Sequence, residues 1–399
     1  GAVRPGIAER VRCAMSQQGK IADTNTLMEK IVSLCKRRGF VYQGSEIYGG
    51  LAGIYDYGPL GNDLRHNIKQ YFWNKFVSER DDVYGMSAAI LMPERVWEAS
   101  GHTELFTDPL VECAKCKQRF RADHVTFVDE GGVERMKKRI KLGLELDDDE
   151  IFDSNRKEIF WKCENCGQKN YGSELRQFNL LMETRLGASR ETAVKAYLRG
   201  EITQGVHVNF KNVLDSMHPK IPFGIAQIGK AFRNEISPSD FLFRQREFEQ
   251  MELQYYVRPE ESEGAKQFEY WKQFAFDWYQ SLGIANGHLR LRQHAQDERA
   301  HYARDAWDIE YQSPMGWKEA WGIHHRGDWD LRRHQEYSGV SMEYAEEGEK
   351  FIPWVIECSG GVDRSFLFVL LDAYREDDLG GEKRVYLALP PHLAPIRAA

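Results

Sequence analysis

Phe232-Arg233-Asn234-Glu235, a short polar loop, then Phe243-Arg244-Gln245-Arg246-Glu247-Phe248-Glu249-Gln250-Met251-Glu252: the fold of this chain turns on that stretch. Two runs of β character, covering Gly224 to Tyr256, flank a loop of Ser, Pro and Asp, which predicts an antiparallel hairpin. Its chemistry is as informative as its shape. Arginines grip phosphate in bidentate fashion, and a phenyl ring offers a stacking face for a base. A solvated, charge-laced hairpin has the same composition, so on these residues alone both readings stand.

Working outward, an aromatic-rich helix is predicted over Glu261 to Leu282, and segments of β character continue to Ser359. There Val355-Ile356-Glu357-Cys358-Ser359-Gly360-Gly361-Val362-Asp363-Arg364 runs from an apolar strand through a glycine pair into a helix ending near Tyr374. Arg364 falls in that helix's first turn, where the dipole disfavours positive charge. An anionic ligand or an aromatic partner would explain it; an ordinary strand-turn-helix is the plain alternative. Upstream, Thr26 and Glu29 have capping-box spacing and Gly39 suits a C-cap, predicting a helix from Thr26 to Arg38 with Leu27, Ile31, Leu34 and Cys35 as its buried stripe. A glycine-rich segment, Gly49 to Gly61, leads to a second helix with Leu64, Ile68, Tyr71, Phe72 and Phe76 on one face. Val83 to Met92 reads as one strand stopped by Pro93. A β-rich centre with flanking helices predicts an α+β fold around an antiparallel sheet, not alternating βαβ units. Neither a GxGxxG nor a Walker loop is present.

The segment from Cys113 to about residue 175 differs in character. Cys113-Ala114-Lys115-Cys116 and Cys163-Glu164-Asn165-Cys166 bracket a charged middle, and two CxxC knuckles supply the four thiolates of a closed structural zinc site. Reduced thiols in a degenerate site are the alternative; disulfides fit poorly without any sign of secretion. We read 113–175 as an insertion dividing a catalytic domain into 21–112 and 176–399, with residues 1–20 a leader or expression remnant without fixed structure. At 399 residues the chain can bury a large core, and no apolar stretch approaches the roughly 20 residues of a membrane helix. No secretory signal or transit peptide is evident, so a cytoplasmic location is expected. A net charge of −7 argues only weakly against RNA, because phosphates need local Lys and Arg, as in Lys36-Arg37-Arg38, rather than a positive total.

Taken in order, these elements resemble the three motifs of class II aminoacyl-tRNA synthetases. The second helix with the strand ending at Pro93 is similar to motif 1, Phe232 to Glu235 with Arg244 and Phe248 to motif 2, and Gly361 to Arg364 to motif 3. Asp56-Tyr57-Gly58-Pro59-Leu60-Gly61, Ser100-Gly101-His102, Arg121-Ala122-Asp123, Gln177-Phe178-Asn179-Leu180, Val208-Asn209-Phe210 and Ile356-Glu357 with Ser359 narrow the resemblance to the α2-type glycyl-tRNA synthetases, over about Thr26 to Leu389.

The resemblance implies substrates glycine, ATP with Mg²⁺ and tRNA(Gly), and a homodimer built on motif 1. It implies catalytic roles for Arg233, Glu235 and Arg364. Arg233 would hold the α-phosphate and the glycine carboxylate, and Glu235 the adenine amino group. Phe248 and Arg364 would stack on the two adenine faces, and Arg244 would contact the outer phosphates. Asn234, Phe243, Glu319, Ala320, Gly361 and Asp363 would complete the ATP site. Glycine would be bound by Glu201, Glu252 and Glu357, with Ser359, Arg326, Phe248 and Arg121 nearby. Two departures stand out. Gly200 and Cys358 replace prolines usual in the family, which bears on glycine affinity more than on the reaction. The chain also ends near where the family's anticodon-binding domain would begin, so that domain is expected to be absent. Two other functions fit less well. A non-catalytic synthetase-like accessory protein, such as the clamp subunit of mitochondrial DNA polymerase, would not need the full ATP set. A prolyl, threonyl or seryl class II synthetase would not need the three glutamates.

Overall fold

The computed structural model of the protein describes residues 24–122, 125, 127–129, 159–171, 176–189, 191–296, 298–299 and 303–396. The leader and the charged middle of the insertion lie outside them. The elements that position the site are α1 (Thr24–Arg37), α2 (Pro59–Trp73), β1 (Val83–Met86), β2 (Thr107–Glu112), β3 (Arg119–Arg121), β4 (Phe223–Phe232), β5 (Glu247–Val257), α3 (Glu261–Ser281), β6 (Leu289–Gln293), β7 (Asp305–Ser313), β8 (Gly316–Gly327), α4 (Trp329–Ser338), β9 (Trp354–Gly361) and α5 (Val362–Ala373).

The hairpin forms as the sequence predicts. β4 and β5 pair antiparallel from Phe223↔Tyr256 to Phe232↔Glu247. They sit inside a seven-stranded sheet of order β6-β7-β8-β9-β5-β4-β1, in which only the β1–β4 pair is parallel. Its two faces are chemically opposite because side chains alternate along each strand. On β9, Ile356 and Cys358 enter the apolar core while Glu357 and Ser359 face the other way. The core face is covered by α3, whose Phe268, Trp271, Ala275, Trp278, Tyr279 and the following Leu282 recur at helical spacing and are buried. Phe72 and Phe76 reach the same layer. Phe76 packs edge-on to Trp278 at 5.5 Å, and Trp278 lies 5.0 Å from Trp321 on β8. Each such side chain contributes roughly 1.5–3 kcal/mol by leaving water. The aromatic layer fixes the sheet from behind and leaves the polar face for ligands.

Three boundaries differ from the sequence reading. α1 starts at Thr24, so Thr26 lies within its first turn rather than at its cap. Gly39 does end it: its φ is +71°, and the Phe40 N–H closes the turn on the Cys35 carbonyl. Val83 to Met92 is not one strand. The chain leaves the sheet after Met86, and Leu91–Pro93 pairs with Val194–Leu198 in a separate three-stranded sheet. Side chains replace the lost ladder: Gln227 Oε1 accepts the Ala88 N–H at 2.7 Å, and buried Arg199 donates to the Ala88 carbonyl at 2.9 Å. α2 passes into a wide π turn, Asn74–Ser78, which keeps Phe76 in the core while Tyr71 stays half-buried. Gly61 in α2 has no alternative, because a Cβ there would lie 1.9 Å from the Phe40 carbonyl oxygen.

Candidate active site

The hairpin's open end forms one wall of a cleft of about 360 Å³. Arg121, Arg233, Glu235, Phe243, Arg244, Phe248, Glu319, Ser359, Gly361, Asp363 and Arg364 all line it. Four sequence-distant segments thus meet where the resemblance places a nucleotide. Arg233 is aimed by its neighbours: Nε donates to the Gly200 carbonyl at 3.1 Å, and the guanidinium lies 5.3 Å from the Phe248 ring and 5.1 Å from Phe106. Arg364 resolves its unfavourable position at the start of α5 by contacts of both expected kinds. It lies 4.5 Å from the Phe243 ring and 3.2 Å from Glu319 Oε2. That pairing is the largest influence holding the Glu319 carboxyl below its ordinary range. Three polar atoms of residues lining the cleft are buried without a hydrogen-bond partner, the donor Arg244 Nη1 and the acceptors Glu235 Oε2 and Gln250 Oε1. An orphan donor and an orphan acceptor in one cleft suit a ligand carrying both phosphate and an exocyclic amine.

Not every expected nucleotide contact faces the cleft in the same way. Asp363 is spent on structure. It accepts from the Tyr57 hydroxyl, from Arg65 Nε at 3.1 Å and from the Glu249 N–H at 2.6 Å, so it joins α5 to α2 and β5. The Asp56-to-Gly61 segment thereby acquires a role through Tyr57. Ala320 is buried in the core beneath the cleft. The Asn234 N–H donates to the Leu180 carbonyl at 2.8 Å. Arg246 donates to the Glu235 carbonyl and, through Nη1, to Ala52, which locks the hairpin loop to the glycine-rich segment.

Beneath the cleft lies a second, tighter cluster. Glu252 on β5 and Glu357 on β9 project from the same face, with Ser359 directly opposite Glu252 in the register. Glu201 enters from the turn after Val194–Leu198. Thr203, from the following short helix, donates to Glu252 Oε2 at 2.6 Å and lies 3.3 Å from Glu357 Oε2. Gln254 Nε2 donates to Glu357 Oε2 at 2.9 Å. The three glutamates are electrostatically unlike. Burial opposes ionisation of Glu357, yet Arg326 Nη1 at 3.1 Å and His324 Nδ1 at 2.7 Å hold its carboxyl down at about 2. Burial is likewise overcome at Glu201, where His102 and Arg326 lower it to about 2. Glu252 is driven well above the carboxylate range by burial and by the charges of Glu357 and Glu201. Arg326 forms the wall behind: Nε and Nη2 bind both oxygens of Asp330 at 2.7 and 3.0 Å.

Sequence reasoning singled out the three glutamates and Arg326 but passed over Thr203, His324 and Asp330. Spacing from Arg326 accounts for two of them once its strand is recognised, and nothing local marks Thr203. His324 is two residues from Arg326 on a strand, hence on its face, and Asp330 is four residues beyond it. The two family departures also find their places. Cys358 lies in the core, on the far side of β9 from Glu357. Arg233 uses the backbone carbonyl of Gly200, a contact that a proline at this position would also offer.

The four knuckle cysteines lie with all sulfurs within 4.8 Å of one another and as free thiols; Cys113–Cys166 and Cys116–Cys163 are each 3.6 Å apart. Zinc–sulfur bonds of about 2.3 Å in a tetrahedron require sulfurs about 3.8 Å apart. The donor set therefore fits that metal. The first knuckle is also the turn between β2 and β3, which carry Asp108 and Arg121 to the cleft, where Arg121 Nη1 donates to Asp108 Oδ2 at 2.5 Å.

Comparison with known proteins agrees with this architecture. Residues 188–371 match the model of the tRNA synthetase class II core domain (G, H, P, S and T). The chain is 47% identical to the glycine–tRNA ligase of Caldanaerobacter subterraneus subsp. tengcongensis over 93% of its own length and 79% of that protein. With the glycine–tRNA ligase of Geobacillus kaustophilus the identity is 48%, over 93% and 80%. With that of Treponema denticola it is 46%, over 94% and 78%. A class II core, an arginine-lined cleft and relatives matched across nearly the whole chain leave one assignment: the chain belongs to the glycine–tRNA ligase family of class II aminoacyl-tRNA synthetases.

Proposed function

We infer that the protein ligates glycine to tRNA(Gly) at the expense of ATP, passing through glycyl-adenylate. The observation that carries this reading is the junction of the two clusters: Ser359 and Gln250 line the arginine cleft, Ser359 lies opposite Glu252 in the register, and Gln250 Nε2 donates to Glu252 Oε1 at 2.9 Å. Glycine offers no side chain to grip, so its charged ends must provide the binding energy. In this reading Glu201, Glu252 and Glu357 receive the ammonium, with Ser359 beside them. Arg233 meets both the glycine carboxylate and the α-phosphate. There it offsets the charge that develops as a carboxylate oxygen attacks phosphorus and pyrophosphate leaves. Adenine lies between Phe248 and Arg364, each exchanging its present partner for the base, and Glu235 accepts from the adenine amine. Arg244 takes the outer phosphates. Mg²⁺ would neutralise those phosphates, and the Glu319 carboxylate at the mouth is the group placed to meet it. In the second step the terminal adenosine of tRNA attacks the activated carbonyl.

Arg326 in this scheme acts on glycine through Glu357 and Asp330. Arg121, on the hairpin whose turn is the first knuckle, borders the same space. Residues 113–175 are then an insertion stabilised by zinc within the catalytic domain, and Cys113, Cys116, Cys163 and Cys166 would hold that ion. A homodimer is supported by Ile47, Tyr48 and Leu51, three exposed apolar side chains in the segment leading into α2. The expected compartment is the cytoplasm.

Amino-acid-dependent ATP–pyrophosphate exchange tests the reading, with glycine, alanine, serine, proline and threonine in parallel. Exchange with glycine alone is expected. Exchange driven by another of the five would retain the class II chemistry and overturn the glycine pocket.

A further inference from the structure

Two sequence segments, Ser100-Gly101-His102 and Gln177-Phe178-Asn179-Leu180, are assigned no contact with substrate above, yet they meet beside Glu201. His102 opens the short helix His102–Leu105, and its ring is held between Trp97 at 5.1 Å and Phe106 at 5.0 Å. Nδ1 lies 2.8 Å from Ser100 Oγ, and Nε2 lies 3.4 Å from Glu201 Oε2. Asn179 pins this helix from outside, donating to the His102 and Thr103 carbonyls at 3.0 and 2.9 Å. The next residue, Leu180, binds the Phe106 carbonyl through its N–H and accepts the N–H of Asn234. The neighbour of Asn234, Arg233, binds the Gly200 carbonyl, one residue from Glu201. The contacts close a ring: Glu201 to His102, to Asn179 and Leu180, to Asn234 and Arg233, and back through Gly200.

We propose that His102 is a positioning residue for glycine recognition, presenting an Nε2–H to Glu201 and so fixing that carboxylate relative to Arg233. When the Ser100 hydroxyl turns to Nδ1, the neutral ring's proton is on Nε2. When it turns to the Trp97 carbonyl at 3.3 Å, a protonated ring donates Nδ1–H to Ser100 Oγ and Nε2–H to Glu201, so both arrangements offer the same N–H to the carboxylate. The aromatic walls stop the ring from turning away. The ring of contacts makes the two ends of glycine a single geometric unit, because the group receiving the ammonium and the group receiving the carboxylate share one frame. This rests on the reading that Glu201 receives the ammonium, and the test separates the two.

The experiment is pyrophosphate exchange on the whole chain, varying glycine at saturating ATP. His102→Ala should raise the KM for glycine about tenfold, the effect of one hydrogen bond to a charged group, with a smaller change in kcat and in the KM for ATP. His102→Gln, whose amide nitrogen reaches the place of Nε2, should recover most of the loss. His102→Asn, whose nitrogen reaches only the place of Nδ1, should not. Both variants fill the site with a polar amide, so the contrast survives if the alanine variant folds poorly. Adding His102→Ala to Glu201→Gln should cost nothing further. If Gln and Asn behave alike, or if all three leave the KM for glycine unchanged while Glu201→Gln raises it, the inference fails and the role of Glu201 stands. If Glu201→Gln itself leaves that KM unchanged, the reading of the pocket fails and the inference with it.

Discussion

The arginine cleft and the carboxylate cluster, proposed above as the nucleotide and glycine sites, meet at Ser359 but are built on opposite plans. In the cleft, ion pairs such as Arg364–Glu319 stand beside arginines resting on aromatic rings, Arg364 on Phe243 and Arg233 against Phe248, and beside unmatched atoms, Arg244 Nη1 and Glu235 Oε2. In the pocket, Thr203, Glu252, Glu357, Arg326 and Asp330 are each at most 3% exposed and are bonded to one another. On the proposed reading, the difference follows from the ligands. A nucleotide brings a large stacking surface and its own charge, so its site can remain loosely committed and exchange one partner for another. Glycine brings ten atoms and no side chain, so discrimination must come from a cavity rigid enough to exclude one extra methyl, worth only roughly 1–3 kcal/mol by itself. One site is completed by its substrate and the other is finished beforehand.

If so, the two sites should fail differently. The largest effect is expected from Asp330→Ala. It leaves the Arg326 guanidinium buried with half its anionic partners gone, and breaking such a pair costs about 3–5 kcal/mol. Denaturant unfolding should register the loss even without substrates. Arg233→Ala should cost nearly as much in rate, about 10²–10³-fold in kcat, on the scale of removing one donor from an oxyanion site. It should move the unfolding midpoint little. Equal stability losses in the two variants would erase the distinction between a preformed pocket and an open cleft. Acid should sharpen it. Glu201 and Glu357 have folded-state values of about 2, depressed from 4.5, so their stabilisation is complete above pH 4.5 and is lost as pH falls toward about 2. An acid titration of unfolding free energy should therefore lose several kcal/mol across that window, and Glu357→Gln should flatten the slope.

The same contrast governs what the sequence disclosed. The cleft was partly legible because two of its four segments are compact motifs: hairpin arginines and aromatics, and a glycine pair feeding a helix with Arg364 in its first turn. The α+β sheet was legible for the same reason, through the hairpin and the aromatic stripe of α3. The pocket draws on His102, the Glu201–Gln204 turn, β5, β8, α4 and β9, and no periodicity connects those segments. Resemblance supplied its glutamates, while Thr203, His324 and Asp330 became visible only once the strands were in register. The misjudged strand after Met86 has a similar cause. Side chains of Gln227 and Arg199, more than a hundred residues away in sequence, take over its backbone hydrogen bonds.

The smallest predicted effect is the most discriminating, because its sign alone decides. Glu252 lies between two ionised carboxylates, and burial together with their charge keeps its own proton on well above the usual range. The unfolded chain gives that proton up near pH 4.5, the folded chain only at higher pH, so raising the pH through this interval favours unfolding. Glu252→Gln removes the penalty and keeps the shape. It should gain stability at pH 7, a gain that vanishes below pH 4.5, whereas Glu357→Gln should lose stability at pH 7 by removing the carboxylate partner of Arg326 and His324. The same substitution should weaken glycine, since an amide cannot supply the charge that an arriving ammonium would draw from Glu252. Stability and affinity would then move in opposite directions at one residue, the expected signature of a group held in an unfavourable state until its ligand arrives. If Glu252→Gln instead destabilises the protein as Glu357→Gln does, Glu252 is an ordinary structural partner, and the pocket owes its form to packing rather than to the substrate's charge.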